Sequence, residues 1–315
     1  MNNKIKIGSM NVRGLTDRTK RQDVFNWLKE KKYSIFCLQD ILIGEKNIPS
    51  FKNDWGAEVI MSIKSSDSRG VAVLFARNLD YKILEIEKDD SGNLLFVRLR
   101  LGDLEFHLCV IYGPNSDSPD FYVNLKDRLM LKENIPLILC GDWNMVMDYK
   151  LDTRGYLKEN NIRARREVQN MMESLELVDT WRSENNHLKK FTWVSGKRPV
   201  KMARLDFFLV TPDIHARISR YLNNFGYRSD HSLIGIELSI ENIERGKGFW
   251  KFNSALLKDP DYVELVKNEI NNVKKDYIVG TGSQTETTSK QMLFEVLKLR
   301  VRGVTIPYCS RRKKS

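Results

Sequence analysis

Six short apolar runs, spread between residues 5 and 240, each carry a polar, chemistry-bearing side chain at one end. No other feature of the chain constrains its fold as strongly. Asn11 closes the run in IGSMNV, and Asp40 closes the run in IFCLQD. CVIYGPN delivers Tyr112 and Asn115; LILCGDWN delivers Asp142 and Asn144. Asp206 opens the strand in ARLDFFLV, and Asp230 with His231 precede the one in YRSDHSLIGI. Any single case fits ordinary turn chemistry, because Asp and Asn favour strand ends. Their repetition says more. Short apolar runs bounded by turn residues read as buried strands. In a packed sandwich the ends of such strands converge on one rim.

The remaining pattern agrees with a sandwich. Strand-like stretches cover Lys4–Met10, Ile35–Leu38, Val59–Ile63, Val71–Phe75, Leu79–Glu87, Leu94–Leu101, Leu104–Ile111, Ile135–Cys140, Phe191–Val194, Leu205–Val210 and Leu233–Leu238. A polar Ser-Asp-Ser-Arg-Gly loop joins the third and fourth as a hairpin. Thr19–Lys31 places Val24, Phe25, Trp27 and Leu28 at the spacing of an amphipathic helix. Ser118–Lys132, opened by Pro119 and Asp120, and Asn161–Leu175 are helical as well. The fold class expected is α/β, with two mixed sheets packed together and helices outside.

After residue 240 the strand pattern stops. A polar stretch at 242–247 leads to two expected helices, Tyr262–Tyr277 and Ser289–Arg302. Between them lies a Gly-Thr-Gly-Ser-Gln-Thr segment of flexible composition. The chain closes on a basic cluster, Arg311–Lys314. The division expected is therefore 1–240 for the sandwich and 241–315 for a basic helical extension.

Lys and Arg number 52 against 41 Asp and Glu, a formal net charge of +11. Such a surplus favours a polyanionic partner, because contacts to phosphates release counterions. No apolar run approaches the roughly 18 residues that span a membrane, and no signal peptide opens the chain. Cys37, Cys109, Cys140 and Cys309 form no CxxC pair, and three sit in apolar runs. Reduced, buried thiols in an intracellular setting, nuclear or cytoplasmic, are expected.

A rim bearing several carboxylates repels itself unless a cation sits there. The candidate donors are mostly carboxylate and amide oxygens, which suit a hard ion. Mg2+ fits best, with Mn2+ as a substitute. An ion of this kind beside an acid, a base and amide donors can hydrolyse a phosphodiester.

GSMNVRGL, LQD, SRGVAVLF, IYGPN, GDWNMV, RLDFFLV and SDHSLI occur in the order and spacing of a known group. Together they resemble the exonuclease III / apurinic endonuclease-like phosphodiesterases of the endonuclease/exonuclease/phosphatase superfamily. FTWVSG and KGFWKFNSALLKDPDYVELV resemble in particular the endonuclease domain of LINE-type (non-LTR) retrotransposons. The resemblance implies a four-layer α/β sandwich and Mg2+-dependent nicking of double-stranded DNA; a monomer is expected. It assigns Asn11 to positioning the metal-bound carboxylate and Asp40 to holding the metal. Asp206 would lie near the metal or the leaving group, and Tyr112 would contact the scissile phosphate. Asp142 would orient or deprotonate the attacking water, and Asn144 would hydrogen-bond the phosphate. His231, held by Asp230, would stabilise the phosphorane. Asn115 would also bind substrate, and Thr192 would line the DNA-facing wall. Basic loop residues beside the motifs, among them Arg13, Arg69, Lys197, Arg198 and Lys201, would position the DNA backbone without specifying sequence. Specificity would be loose and set by DNA shape.

The chain departs from that pattern at Asp40, where the family has glutamate. The side chain is shorter by about 1.5 Å, against a preferred Mg2+–oxygen distance of about 2.1 Å. Three outcomes stay open: activity with a shifted metal, slow activity, or DNA binding alone. Retained but reduced activity is expected. The same Asp, Asn and His framework resembles sphingomyelinases, inositol polyphosphate phosphatases and deadenylases too, so a non-DNA phosphate ester is the rival substrate. The charge and the segment after Lys247 favour DNA. Proteins of the resembling group continue into a reverse transcriptase, and no YxDD-like motif occurs here. The chain is thus expected to be the N-terminal portion of such a protein, whose downstream domain would meet RNA, or a copy that lost the rest.

Overall fold

Alternation along one five-residue strand sets the layering. In β2 (Ile35–Gln39), Ile35 and Cys37 point into one core, while Phe36 and Leu38 point into another. A strand apolar on both faces must be covered on both. The computed structural model describes residues 3–64, 68–132, 135–241, 254–278 and 290–312. The polar stretch 242–247, the Gly-Thr-Gly-Ser-Gln-Thr segment, and the last residues of the basic cluster lie outside the described residues.

One six-stranded sheet runs in the order β14 (Ile218–Asn224), β15 (Leu233–Ile240), β1 (Asn3–Asn11), β2, β4 (Val71–Phe75), β3 (Val59–Ser62). The other runs β10 (Val178–Asp179), β13 (Asp206–Val210), β8 (Leu137–Asp142), β7 (Leu104–Tyr112), β6 (Leu94–Leu101), β5 (Lys82–Lys88). The pairs β1–β2 and β7–β8 are parallel and the other neighbours antiparallel, so both sheets are mixed. Between the sheets lies a core that includes Ile7, Cys37 and Val73 from one and Val110, Cys140 and Phe208 from the other.

Helices cover the outer faces. Against the first sheet lie α1 (Arg18–Lys31) and α2 (Ile48–Trp55), through Val24, Phe25, Leu28, Phe51 and Trp55. Phe25 meets Phe51 and Trp55 edge-on, with centroids 5.0 and 5.2 Å away. Asp17 caps α1 by accepting from the Lys20 N–H at 2.6 Å. The second sheet is covered by α3 (Pro119–Met130) and α5 (Ile162–Ser174), through Tyr122, Leu125, Leu129, Val168 and Met171. Burying each such side chain contributes about 1.5–3 kcal/mol. The four layers follow: helix, sheet, sheet, helix. Two short helices, α4 (Tyr149–Asp152) and α6 (Pro212–Arg217), sit in connections.

Several features differ from the sequence reading; the short elements β10, α4 and α6 were not expected, and the last helix runs to Arg312 rather than Arg302. Phe191–Val194 contributes only a two-residue strand, β11 (Trp193–Val194). It joins β12 (Met202–Ala203) and β9 (Thr153–Arg154) in a third, small sheet. The edge strand β14 was not expected, because ISRYLNN is half-exposed and lacks apolar alternation. The eight-residue α2 was not expected either, being too short for a clear helical period.

The chain forms two compact units, 1–248 and 249–315. In the second, α7 (Pro260–Ile278) and α8 (Lys290–Arg312) pair. The Tyr262 hydroxyl lies 2.8 Å from Thr305 Oγ1. Tyr308 donates to Asp259 at 2.8 Å. Among the described residues no helix is long and apolar enough to cross a membrane.

Candidate active site

Strand register assembles the rim. In β7–β8 the partner of Tyr112 is Asp142, and in β8–β13 the partner of Asp142 is Asp206. Directly paired residues share a face. That face is the inner one, because Val110, Cys140 and Phe208, two positions back along each strand, lie in the inter-sheet core. Asn11 has the parity of Ile5 and Ile7, so it also points inward. Its partner is Gln39, and Asp40 comes next, turned into the left-handed region at φ 55°. Both sheets thus present polar tips to the same end of the cleft.

Gly141 makes the row possible. A Cβ there would lie 1.9 Å from the Ile111 carbonyl oxygen, so only glycine lets β8 run so close to β7 before Asp142.

The buried Asp142 carboxylate accepts from Asn11 Nδ2 at 2.8 Å and from the Asn144 N–H at 3.0 Å. His231 stands between two acids. Its Nδ1 is 2.9 Å from Asp206 Oδ2, and its Nε2 is 3.7 Å from Asp142 Oδ2. The loop carrying it is pinned. Ser229 Oγ donates to the Asn11 carbonyl at 2.7 Å and accepts from the His231 N–H at 3.1 Å. A cavity of about 360 Å³ is lined by Asn11, Arg13, Asp40, Tyr112, Asn115, Asp142, Asn144, Asp230 and His231.

Residues 8–231 match the Endonuclease/Exonuclease/phosphatase family. The chain belongs to this family. Over 273 residues it is 23% identical to the transposon TX1 uncharacterized 149 kDa protein of Xenopus laevis. That match covers 84% of this chain and 20% of the relative, so the chain spans about a fifth of that protein's length. An exodeoxyribonuclease of Bacillus subtilis is 26% identical over 238 residues, covering 68% of this chain and 91% of the relative. An AP endonuclease structure from Archaeoglobus fulgidus superposes with a TM-score of 0.63 at 20% identity, covering 75% of this chain and 100% of that one. The α/β sandwich is therefore the fold of this family.

Electrostatics divide the family site into an acid side and a cation. Burial pushes the Asp142 carboxyl up; the His231 charge opposes this and the Asp206 charge adds to it, leaving about 6. For His231, burial favours the neutral ring, but the Asp206 and Asp142 charges outweigh it and raise the imidazole to about 9. Burial also raises Asp40, against the opposing influence of the Tyr112 hydroxyl and then the His231 charge. Tyr112 is in turn raised by burial and then by the Asp40 and Asp142 charges, so it remains a protonated donor.

Several expected roles change. Asp230 does not hold His231; Asp206 does. Asp230 Oδ2 instead accepts from Trp193 Nε1 at 3.0 Å and from Arg13 Nη1 at 3.1 Å. Both Asp206 oxygens face the imidazole, at 3.2 and 2.9 Å from Nδ1. Thr192 is buried rather than on the wall. Its hydroxyl accepts from the Leu205 and Asp206 N–H groups, both at 3.0 Å, fixing the start of β13. Asn144 Nδ2 donates to the Gly113 carbonyl at 2.8 Å. Asn11 orients Asp142 rather than Asp40. Arg69 lies off the cavity lining, with Nη1 2.8 Å from Asn93 Oδ1. Tyr156, Asn160, Trp193 and Leu205 also line the cavity. Tyr156 and Asn160 lie outside every motif, and Leu205 and Trp193 lie inside two of them but carry no acid, base or amide that singled them out.

The site fits a hard cation. Ligand atoms of Asp142, Asp206 and His231 lie within 4.8 Å of one another. Among the described residues the buried Asp230 Oδ1 has no hydrogen-bond partner. An unpartnered carboxylate oxygen beside other acids is a place for a positive ion.

Proposed function

We propose that the chain is a metal-dependent DNA endonuclease that nicks one phosphodiester of a duplex. The observation that carries this reading is the Asp206–His231–Asp142 chain, closed on its far side by Asn11. Asp142 takes the proton of the attacking water. His231, kept cationic by Asp206, offsets charge growing on the phosphate oxygens. The Tyr112 hydroxyl and the Asn115 amide, both on the cavity lining, donate to the phosphate. Asp40 and the free oxygen of Asp230 would hold the ion, an oxygen donor set that suits Mg2+ and accepts Mn2+ as a substitute. When bound, the ion polarises a phosphate oxygen and offsets leaving-group charge.

DNA as substrate is supported by the net charge of +11, by the exposed Arg13 at the rim, and by the names of the relatives. Target-site nicking in retrotransposition is supported by the likeness to the transposon protein. The test is conversion of supercoiled plasmid to open circle, with Mg2+, Mn2+ or a chelator. Nicking that needs the ion and vanishes in Asp142→Asn supports the reading. Hydrolysis of a phosphorylated lipid with no nicking would overturn it.

A further inference from the structure

Asn93 belongs to no motif, yet it ties the two sheets together at the rim. It is buried just before β6, where Asp89 Oδ1 accepts its N–H at 2.9 Å. Its backbone carbonyl accepts the Tyr112 N–H at 2.8 Å, and its Nδ2 donates to the Tyr112 carbonyl. Both backbone polar groups of Tyr112 are therefore held by one residue. The remaining side-chain atom, Oδ1, accepts from Arg69 Nη1 at 2.8 Å.

Arg69 comes from the other sheet, in the loop before β4. Its backbone is left-handed, at φ 62°, and its carbonyl accepts the Leu42 N–H at 2.8 Å. Next to it, the Gly70 N–H reaches the Gly92 carbonyl at 3.1 Å. The exposed residue is thus fixed at one guanidinium nitrogen, and among the described residues its other guanidinium donors have no hydrogen-bond partner, leaving them to face a ligand. Its charge is felt at the Tyr112 hydroxyl.

We infer that Asn93 is a positioning residue that sets the Arg69 guanidinium and the Tyr112 hydroxyl on one phosphate group of the substrate. This rests on the phosphodiester reading above. An untethered arginine loses conformational freedom on binding; one tethered at Oδ1 has already lost much of it. The two donors should therefore act as a unit, each worth little without the other.

The experiment measures duplex DNA binding against salt in an Asp142→Asn background and nicking rates in the otherwise native chain. Arg69→Ala should reduce the slope of log affinity against log salt by about 1. Asn93→Ala should reduce it by the same amount, and the double variant by no more. Asn93→Ala should also slow nicking roughly 10- to 100-fold, as loss of a positioning contact does. A purely structural asparagine would lower the melting temperature with the slope unchanged; that result, or effects that multiply, overturns the inference. Should Asn93→Ala fail to fold, Arg69→Ala and Tyr112→Phe carry the test singly and together. Coupled losses support one shared phosphate and multiplicative losses refute it. A chain that binds DNA but never nicks defeats the endonuclease reading while the salt slopes still decide the role of Asn93. Absence of salt-dependent binding overturns both.

Discussion

Asp206 and His231 come from different sheets and meet at 2.9 Å, through Oδ2 and Nδ1. The contact orients the imidazole ring and points Nε2 at Asp142. It also decides the charge of the ring, since the Asp206 charge is the largest of those that raise it to about 9.

The pH profile of nicking follows. Asp142 must be ionised to accept a proton, so the rate rises with pH through about 6. His231 must be cationic, so the rate falls again as pH passes about 9. The two groups titrate as a pair, and the limbs are macroscopic values. Asp206→Asn removes a negative charge and should move the alkaline limb to lower pH. A kcat–pH profile checks this; an alkaline limb unmoved in Asp206→Asn would refute the pairing.

Asn11→Ala tests the other side of Asp142. The Asn11 amide stabilises the ionised carboxylate, so its loss raises Asp142 further. The acid limb should move to higher pH, with a smaller loss of maximal rate than in Asp142→Asn. For Asp142→Asn the expected loss is about 10²–10⁴-fold in kcat, with DNA affinity kept. Comparable losses in both variants, with no shift of the limb, would mean that Asn11 only holds the fold.

Asp40 is a short carboxylate on the cavity wall. The nearby Tyr112 hydroxyl favours its ionised form. Asp40→Glu adds about 1.5 Å of reach. Half-maximal nicking should then need several-fold less Mg2+, read from a metal titration of the initial rate. An unchanged or higher requirement would show that Asp40 already meets the ion well.

Legibility of the molecule in the sequence depended on locality. Ile35–Gln39 was readable because its apolar runs and its polar stop lie in five consecutive residues. The convergence of Asn11, Asp40, Tyr112, Asp142 and His231 was readable for the same reason: each closes or precedes a legible strand. The partner of His231 was not. Asp230 is adjacent in sequence, but the backbone turns its carboxylate to Trp193 and Arg13, and Asp206 arrives on β13 of the other sheet. Asn93 was missed because its role is to bridge loops, which leaves no periodic signal. The edge strand β14 was missed because solvent on one side removes the apolar pattern.

A last expectation concerns what holds Asp206 in place. Arg204, two residues earlier, is fully buried, and its Nε and Nη2 reach Asp152 at 2.8 and 3.1 Å. Nη2 also lies 2.8 Å from Asp179, and Arg182 pairs with the same Asp152. Burial alone would disfavour the charged guanidinium, but the two carboxylates keep it firmly protonated. Removing one member strands the others without water. Asp152→Ala should therefore cost about 3–5 kcal/mol in urea unfolding. Replacing Asp152 and Arg204 together by Leu and Met removes both charges of that pair and should cost less than the single change. If the double variant is as unstable as the sum of the singles, the cluster contributes by packing around Trp181, whose ring lies 5.5 Å from the Arg204 guanidinium carbon, rather than by charge.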